Sequence, residues 1–153
     1  MTNRYLYLMR HGLACQRGVT DDFQKPLSAL GQKEVQAQTD RFRQPDGIRP
    51  DCIFCSTAVR ARQTVELLSE LFIGTPIFFR ESLYLAPAFR VLDLIRETDS
   101  LFHRIMVVGH NPGLEQLIPL LSASTITNFL SKCKSFYYVV TLKFNLQRKS
   151  FLF

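Results

Sequence analysis

Uniformly apolar strands, helices between them, and charged or polar residues where the strands end predict an α/β protein. The expected architecture is a three-layer α/β/α sandwich on a doubly wound, mostly parallel sheet with an antiparallel edge. Three stretches carry that prediction. Residues 5–9 are aromatic or aliphatic with no Pro or Gly, as suits a strand buried on both faces, and the run ends in Arg10-His11-Gly12. Residues 105–108, after Arg104, form a second such run, followed by Gly109-His110-Asn111-Pro112-Gly113, where the proline marks a helix start. Residues 51–55 read as a shorter strand, followed by Ser56 and Thr57, hydroxyls suited to capping the helix that carries Arg60 and Arg62.

The other elements follow from local signals. Residues 13–25, with Gly18 and the Asp21-Asp22 pair, read as a loop. Ser28 is placed to cap a helix running to about Arg43, in which Leu30, Val35, Ala37 and Phe42 fall loosely on one face. Pro45, Gly47 and Pro50 then break the chain before the second strand. Beyond Ser56, the residues Ala61, Val65, Leu68 and Phe72 recur at helical spacing, predicting a helix with a buried stripe that Gly74 stops. Residues 76–79 form a third strand, residues 80–85 cross toward the ligand edge, and residues 88–98 make another helix. The strand at 105–108 is followed by a helix from Pro112 to about Leu121. A polar loop, a strand at 136–144 and a short partner at 150–153 complete the chain, and connections too short for a crossover helix imply an antiparallel member at that edge.

With 153 residues and 46% hydrophobic content, the chain is expected to form one domain, residues 1–153, with a core of its own. Residues 1–4 lead straight into the first strand without the regions of a signal peptide, and no apolar run is long enough to span a bilayer, which predicts a cytoplasmic protein. A net charge of +6 favours an anionic partner in general terms. Lys132, Lys134, Lys143, Arg148 and Lys149, near Phe136, Tyr137 and Tyr138, are read as the solvated face of a strand hairpin and not as a nucleic-acid surface.

Four cysteines, Cys15, Cys52, Cys55 and Cys133, are too few and too unevenly spaced for a disulfide framework. Cys52 and Cys55 stand at an odd offset, so a strand sends their thiols to opposite faces, and no second pair completes a zinc site. Cys15, four residues after His11, is expected to pack; the other reading is an oxidisable thiol at the border of the pocket.

The motifs LMRHGLA, STAVRARQT and VGHNPGLEQL, in this order and each at a strand end, resemble the histidine phosphatase superfamily, specifically its short phosphohistidine phosphatase branch of the SixA type. The resemblance covers about residues 4–144. It implies that His11 accepts the phosphoryl group as a covalent phosphohistidine, that Arg10, Arg60 and His110 complete the pocket, and that water then releases phosphate with no metal and no cofactor. Relatives that cleave esters also use a carboxylic acid to protonate the departing alkoxide, and Glu81, after the third strand, is the candidate here; the alternative is a plain surface glutamate. Lys25 stands in the segment where relatives carry arginine, keeping the charge and losing the bidentate fork.

The residue types suit that chemistry on physical grounds. A nucleophilic imidazole must be bare at one nitrogen, so the other needs a hydrogen-bond acceptor to fix the tautomer, and a backbone carbonyl near Gly12 is in reach. A phosphoryl group in flight spreads charge over three oxygens, which Arg10 and Arg60 can grip with planar forks while His110 donates a further bond. The helix start after His110 adds backbone N–H groups. Arg62, two residues from Arg60 on a helix, points elsewhere and reads as solvated or salt-bridged. No long insertion separates the third strand from the His110 motif, so the pocket is expected to be open. That favours a phosphorylated side chain on another protein, such as a histidine phosphotransfer domain, acted on by a monomer. A small phosphoester substrate and a catalytically idle phosphate-binding module are the alternatives.

Overall fold

The structure is a computed structural model, and it describes residues 4–18, 20–122 and 139–144. Its sheet is built on β1 (Arg4–Arg10), β2 (Cys52–Ser56), β3 (Ile77–Arg80), β4 (Arg104–Gly109) and β5 (Val139–Phe144), in the order β3-β2-β4-β1-β5. β1, β4, β2 and β3 run parallel, and β5 lies antiparallel against β1, with Val139 opposite Met9. Among the described residues four helices flank the strands: α1 (Ala29–Phe42), α2 (Val59–Leu68), α3 (Ala88–Glu97) and α4 (Gly113–Ser122).

Side-chain alternation along the strands divides the core between the two faces. Leu6 and Leu8 of β1, with Ile105 and Val107 of β4, pack under α3 and α4 against Val91, Ile95, Leu114 and Leu117. Tyr7 and Met9, with Met106 and Val108, pack under α1 and α2 against Val35, Phe42, Val65 and Leu68. Both faces being covered is the reason the buried stretches of β1, β2 and β4 are apolar in succession and do not alternate. Cys52 belongs to one cluster and Cys55 to the other, as the odd spacing requires. Burial pushes both thiols up to about 12, so neither is a ready thiolate.

The structure departs from the expected elements in several places. β1 extends one residue further at each end, so that Arg10 is the last strand residue, paired with Gly109. Inside the expected loop, Asp22–Gln24 form a 3-10 turn, capped by the Asp21 carboxylate, which accepts the Phe23 N–H at 3.0 Å. Ser28 caps α1 as expected, accepting the Gly31 N–H at 3.0 Å. α2 has Ala58 at its cap position and no side-chain cap bond. Ser56, the last residue of β2, instead accepts the Ala58 N–H at 3.3 Å. α2 also ends at Leu68; Phe72 is buried from the turn that follows it, so apolar spacing overstated the helix length. The polar loop, the start of the expected last strand and its partner at 150–153 lie outside the described residues, as do Lys132, Lys134, Arg148, Lys149 and Cys133. Among the described residues no helix is long and apolar enough to cross a membrane.

Candidate active site

The strand order places the ends of β1, β4 and β2 side by side at the carboxyl edge of the sheet. β1 delivers Arg10 and His11, β4 delivers His110, and the bend after β2 leads into the first turn of α2, which carries Arg60. Register does the fine placement. Arg10 pairs with Gly109, and the His11 N–H continues the ladder to the Gly109 carbonyl at 3.1 Å, so the two histidines leave adjacent strands together. Their ring centroids are 4.8 Å apart, at an interplanar angle of 57°. They open onto a cleft of about 230 Å³ whose wall includes Arg10, His11, Asp22, Lys25, Arg60 and His110.

His11 Nδ1 donates to the carbonyl oxygen of Gly12 at 2.7 Å, which leaves Nε2 as the bare nitrogen facing the cleft groups. Arg60 Nε donates to that Nε2 at 3.1 Å. Gly12 itself is held by its N–H, which donates to Thr64 Oγ1 at 3.0 Å, while the Thr64 hydroxyl donates to the Arg60 carbonyl at 2.7 Å. The glycine is required by close approach and not by a left-handed turn: a Cβ here would lie 2.7 Å from Leu27 Cδ2 and 3.0 Å from Val35 Cγ2. Side chain, strand end and α2 are thus locked together around one imidazole.

His110 is oriented from the other side. Arg60 Nη2 lies 3.4 Å from His110 Nδ1, and a guanidinium can only donate, so Nδ1 is the acceptor and Nε2–H points to Ser56 Oγ at 2.7 Å. Both rings are neutral near pH 7. Burial, with Arg60 and Arg10 nearby, pushes His11 down to about 4 against the opposing pull of its Gly12 bond. Burial and the neighbouring His11 push His110 down to about 3. A neutral His11 with a fixed tautomer carries its lone pair on Nε2 at ordinary pH, where it accepts the Arg60 Nε–H and is free to attack once that bond is released.

Residues that the sequence left unassigned complete the cleft. Asp22 accepts Arg60 Nη2 at 2.9 Å on Oδ2, its backbone carbonyl accepts Arg60 Nη1 at 2.5 Å, and Tyr84 donates to the same carboxylate at 2.9 Å. The Tyr84 bond, followed by those of Arg60 and Lys25, holds the Asp22 carboxyl down at about 2 despite some burial. Tyr84 also sets its ring edge-on to His110, with centroids 5.4 Å apart. Ser56 shows in sequence only as a helix-cap signal, and Asp22 only as half of an acidic loop pair, so neither had a chemical signature of its own.

The other expected site residues divide. Lys25 lines the cleft and pairs with Asp22 at 3.4 Å. Glu81 does not reach it: it is exposed, at the start of the 3-10 turn after β3, the edge strand one position beyond β2. Arg62 points away from Arg60, as expected, and lies over the Phe79 ring at 4.9 Å. Cys15 does not line the cleft, although its neighbours Ala14 and Gln16 do; its thiol lies 3.4 Å from the Arg17 carbonyl. Among the described residues no three His, Cys, Asp or Glu side chains gather in a way that could hold a metal ion.

The family model described as Histidine phosphatase superfamily (branch 1) matches residues 6–84, which include most of β1, Arg10, His11 and Arg60. The chain belongs to the histidine phosphatase superfamily. Its histidine phosphatase fold is shared with solved structures of the SixA type. One is a candidate phosphohistidine phosphatase SixA from Agrobacterium tumefaciens, 31% identical, with a TM-score of 0.68 over 77% of this chain and 76% of that one. Another, from Nakamurella multipartitia, is 27% identical with a TM-score of 0.67, covering 76% of this chain and 64% of that one, so this chain spans less than two thirds of that protein's length. An uncharacterised protein of Mycobacterium tuberculosis H37Rv is 30% identical over 120 residues, 78% of this chain and 73% of the relative. The chain is therefore a SixA-like member of the superfamily.

Proposed function

We propose that this histidine phosphatase is a metal-independent phosphohistidine phosphatase that uses His11 as a covalent nucleophile on a phosphorylated protein. The observation that carries the reading is the His11 imidazole itself: Nδ1 spent on the Gly12 carbonyl, and Nε2 bare beside Arg60 at the end of β1. In the first step the Nε2 lone pair forms a bond to phosphorus as the bond to the leaving group breaks, and the leaving imidazole departs with the electron pair of that bond, having taken a proton from solvent. In the second, water attacks phosphorus, the N–P electron pair returns to Nε2, and inorganic phosphate leaves. Arg10 and Arg60 hold the equatorial oxygens and balance the charge that spreads over them. His110, anchored by Ser56, is the polar wall beside them.

The leaving group decides the substrate class. Expelling an alkoxide from a phosphate ester calls for a general acid, which the family resemblance implies is a protonated carboxyl group. Among the described residues the carboxyl group on the cleft wall is that of Asp22, which is held ionised, and Glu81 stands outside. A phosphohistidine substrate makes no such demand, because its imidazole leaves readily once protonated. The cleft borders solvent, as a side chain presented by a second protein requires, and a histidine phosphotransfer domain is the kind of partner that fits.

A panel run with EDTA present tests this: a phosphohistidine protein, an aryl phosphate and a sugar phosphate. Expected is turnover in that order. A sugar phosphate turned over fastest would overturn the protein substrate and favour a small-molecule phosphomonoesterase. Unchanged phosphate release by His11→Ala would overturn the nucleophile, and no release by either protein would leave a phosphate-binding module.

A further inference from the structure

The cation meant for the phosphoryl group is already taken. Arg60 donates from Nε to His11, from Nη1 to the Asp22 carbonyl, and from Nη2 to the Asp22 carboxylate, with His110 Nδ1 also beside Nη2. A tetrahedral anion can gain the fork only where something gives it up. The partners differ in how easily they do so. Arg60 is 4% exposed and rises from a helix packed on the sheet. A guanidinium buried this deeply is costly without a counter-charge. The Asp22 side chain is 49% exposed, sits on a short surface turn, and keeps Lys25 beside it at 3.4 Å. Water can solvate the carboxylate when it lets go.

We propose that Asp22 is an internal ligand of the phosphate pocket: its carboxylate compensates Arg60 while the pocket is empty, is displaced by the incoming phosphoryl group, and so sets the anion affinity of the site. This deepens the phosphatase reading and rests on it, since the phosphoryl group must use Arg60. Tyr84 is the latch. Its hydroxyl holds the same Oδ2 that Arg60 holds, and its ring packs edge-on against Phe23 next to Asp22 with centroids 5.0 Å apart, keeping the turn over the cleft. The exchange is one anion for another at a buried cation, so the burial cost of Arg60 stays covered throughout. The apparent affinity for phosphate is lowered by the fraction of molecules in which Asp22 occupies the fork.

The probe is inorganic phosphate, titrated calorimetrically and by thermal shift into the wild type, Asp22→Asn and Asp21→Asn. An asparagine in place of Asp22 keeps the size and removes the charge. Asp21 is the control: it carries the same charge one residue away, contacts the Phe23 N–H and not Arg60, and an asparagine can keep that cap. Expected for Asp22→Asn is a Kd for phosphate lowered by about fivefold. Its Tm should be lower without phosphate and should rise further when phosphate is added, with the Asp21→Asn protein tracking the wild type. A Kd equal to or higher than that of the wild type overturns the inference, and so does equal tightening by both variants, which would reduce the effect to long-range charge. Asp22→Ala serves as a second variant with the same expected direction. Phosphate binding that Arg60→Ala leaves intact in the wild-type background would overturn the phosphatase reading along with it. Binding that needs Arg60 and ignores Asp22 would overturn this inference alone.

Discussion

Two kinds of strand end lie along one edge of this sheet, and they deliver different things. Where β1, β4 and β2 stop, the chain supplies buried polar groups: His11 at 7% exposure, His110 at 3%, Ser56 and Arg60 close by. Where β3 stops, the chain supplies an exposed Glu81, and Tyr84 joins the site only from the far end of the turn that follows. Strand sequence does not make the difference, since all four are parallel strands leading toward flanking helices or turns. Position in the sheet makes it. An inner strand has neighbours on both sides, so the loops leaving it are walled in and their polar groups must find partners. β3 pairs with β2 alone among the described strands, so Glu81 at its exit faces water, and the chain reaches the site only three residues later, where Tyr84 turns back to Asp22.

That contrast can be broken by substitution. The largest effect is expected at His11, where alanine removes the proposed nucleophile: turnover of a phosphohistidine protein should fall by about a thousandfold or more, measured as phosphate release at saturating substrate. Arg60→Ala should cost about a hundredfold in kcat/KM, and Arg60→Lys should recover little of it, because lysine cannot address His11 and an oxygen pair at once. Ser56→Ala should cost about tenfold through loss of the bond that fixes the His110 tautomer, read as a fall in kcat with KM nearly kept. Glu81→Gln sits at the bottom of the series with a change under about twofold, and a tenfold loss there would show that Glu81 takes part after all.

Acid sharpens the same contrast without mutation. His11 and His110 are held neutral well below the ordinary histidine value of 6.5, so kcat/KM should stay level from pH 7 to pH 5 and fall as His11 protonates near about 4. Stability follows a different window. Below pH 6.5 the unfolded chain takes up protons that the folded rings refuse, so Tm should decline as pH falls from about 6.5 toward 4. The Asp22 ion pairs act later: their contribution is present above 3.8 and is lost as pH drops toward about 2. His110→Asn should flatten the first decline and leave the second in place, which a melting series at fixed ionic strength would register.

The inner strands and what stands directly on them were legible in the sequence. The runs before His11 and His110 are apolar in succession because both faces are covered, and the Gly12 carbonyl as partner for His11 follows from covalent proximity alone. What was hidden depends on register between distant segments. Asp22 meets Arg60 across 38 residues and Tyr84 across 62, and no local pattern announces either contact. The length of α2 misled for a related reason: Phe72 is buried by tertiary packing, and helical spacing cannot tell that from a continuing helix. Glu81 looked well placed because chain order puts it after a strand, whereas the site is arranged by spatial order, and the third strand in the chain is the outermost of the parallel set.

The central claim is that the His11 imidazole is the group that becomes phosphorylated, with arginines and not a metal balancing the charge. Brief exposure to a labelled phosphodonor in EDTA, followed by digestion and mapping of the acid-labile, base-stable label, tests it directly. The account predicts the label on His11 in the wild type and none in His11→Ala. Label on any other residue, or label that vanishes with EDTA and returns with added divalent metal, would contradict it.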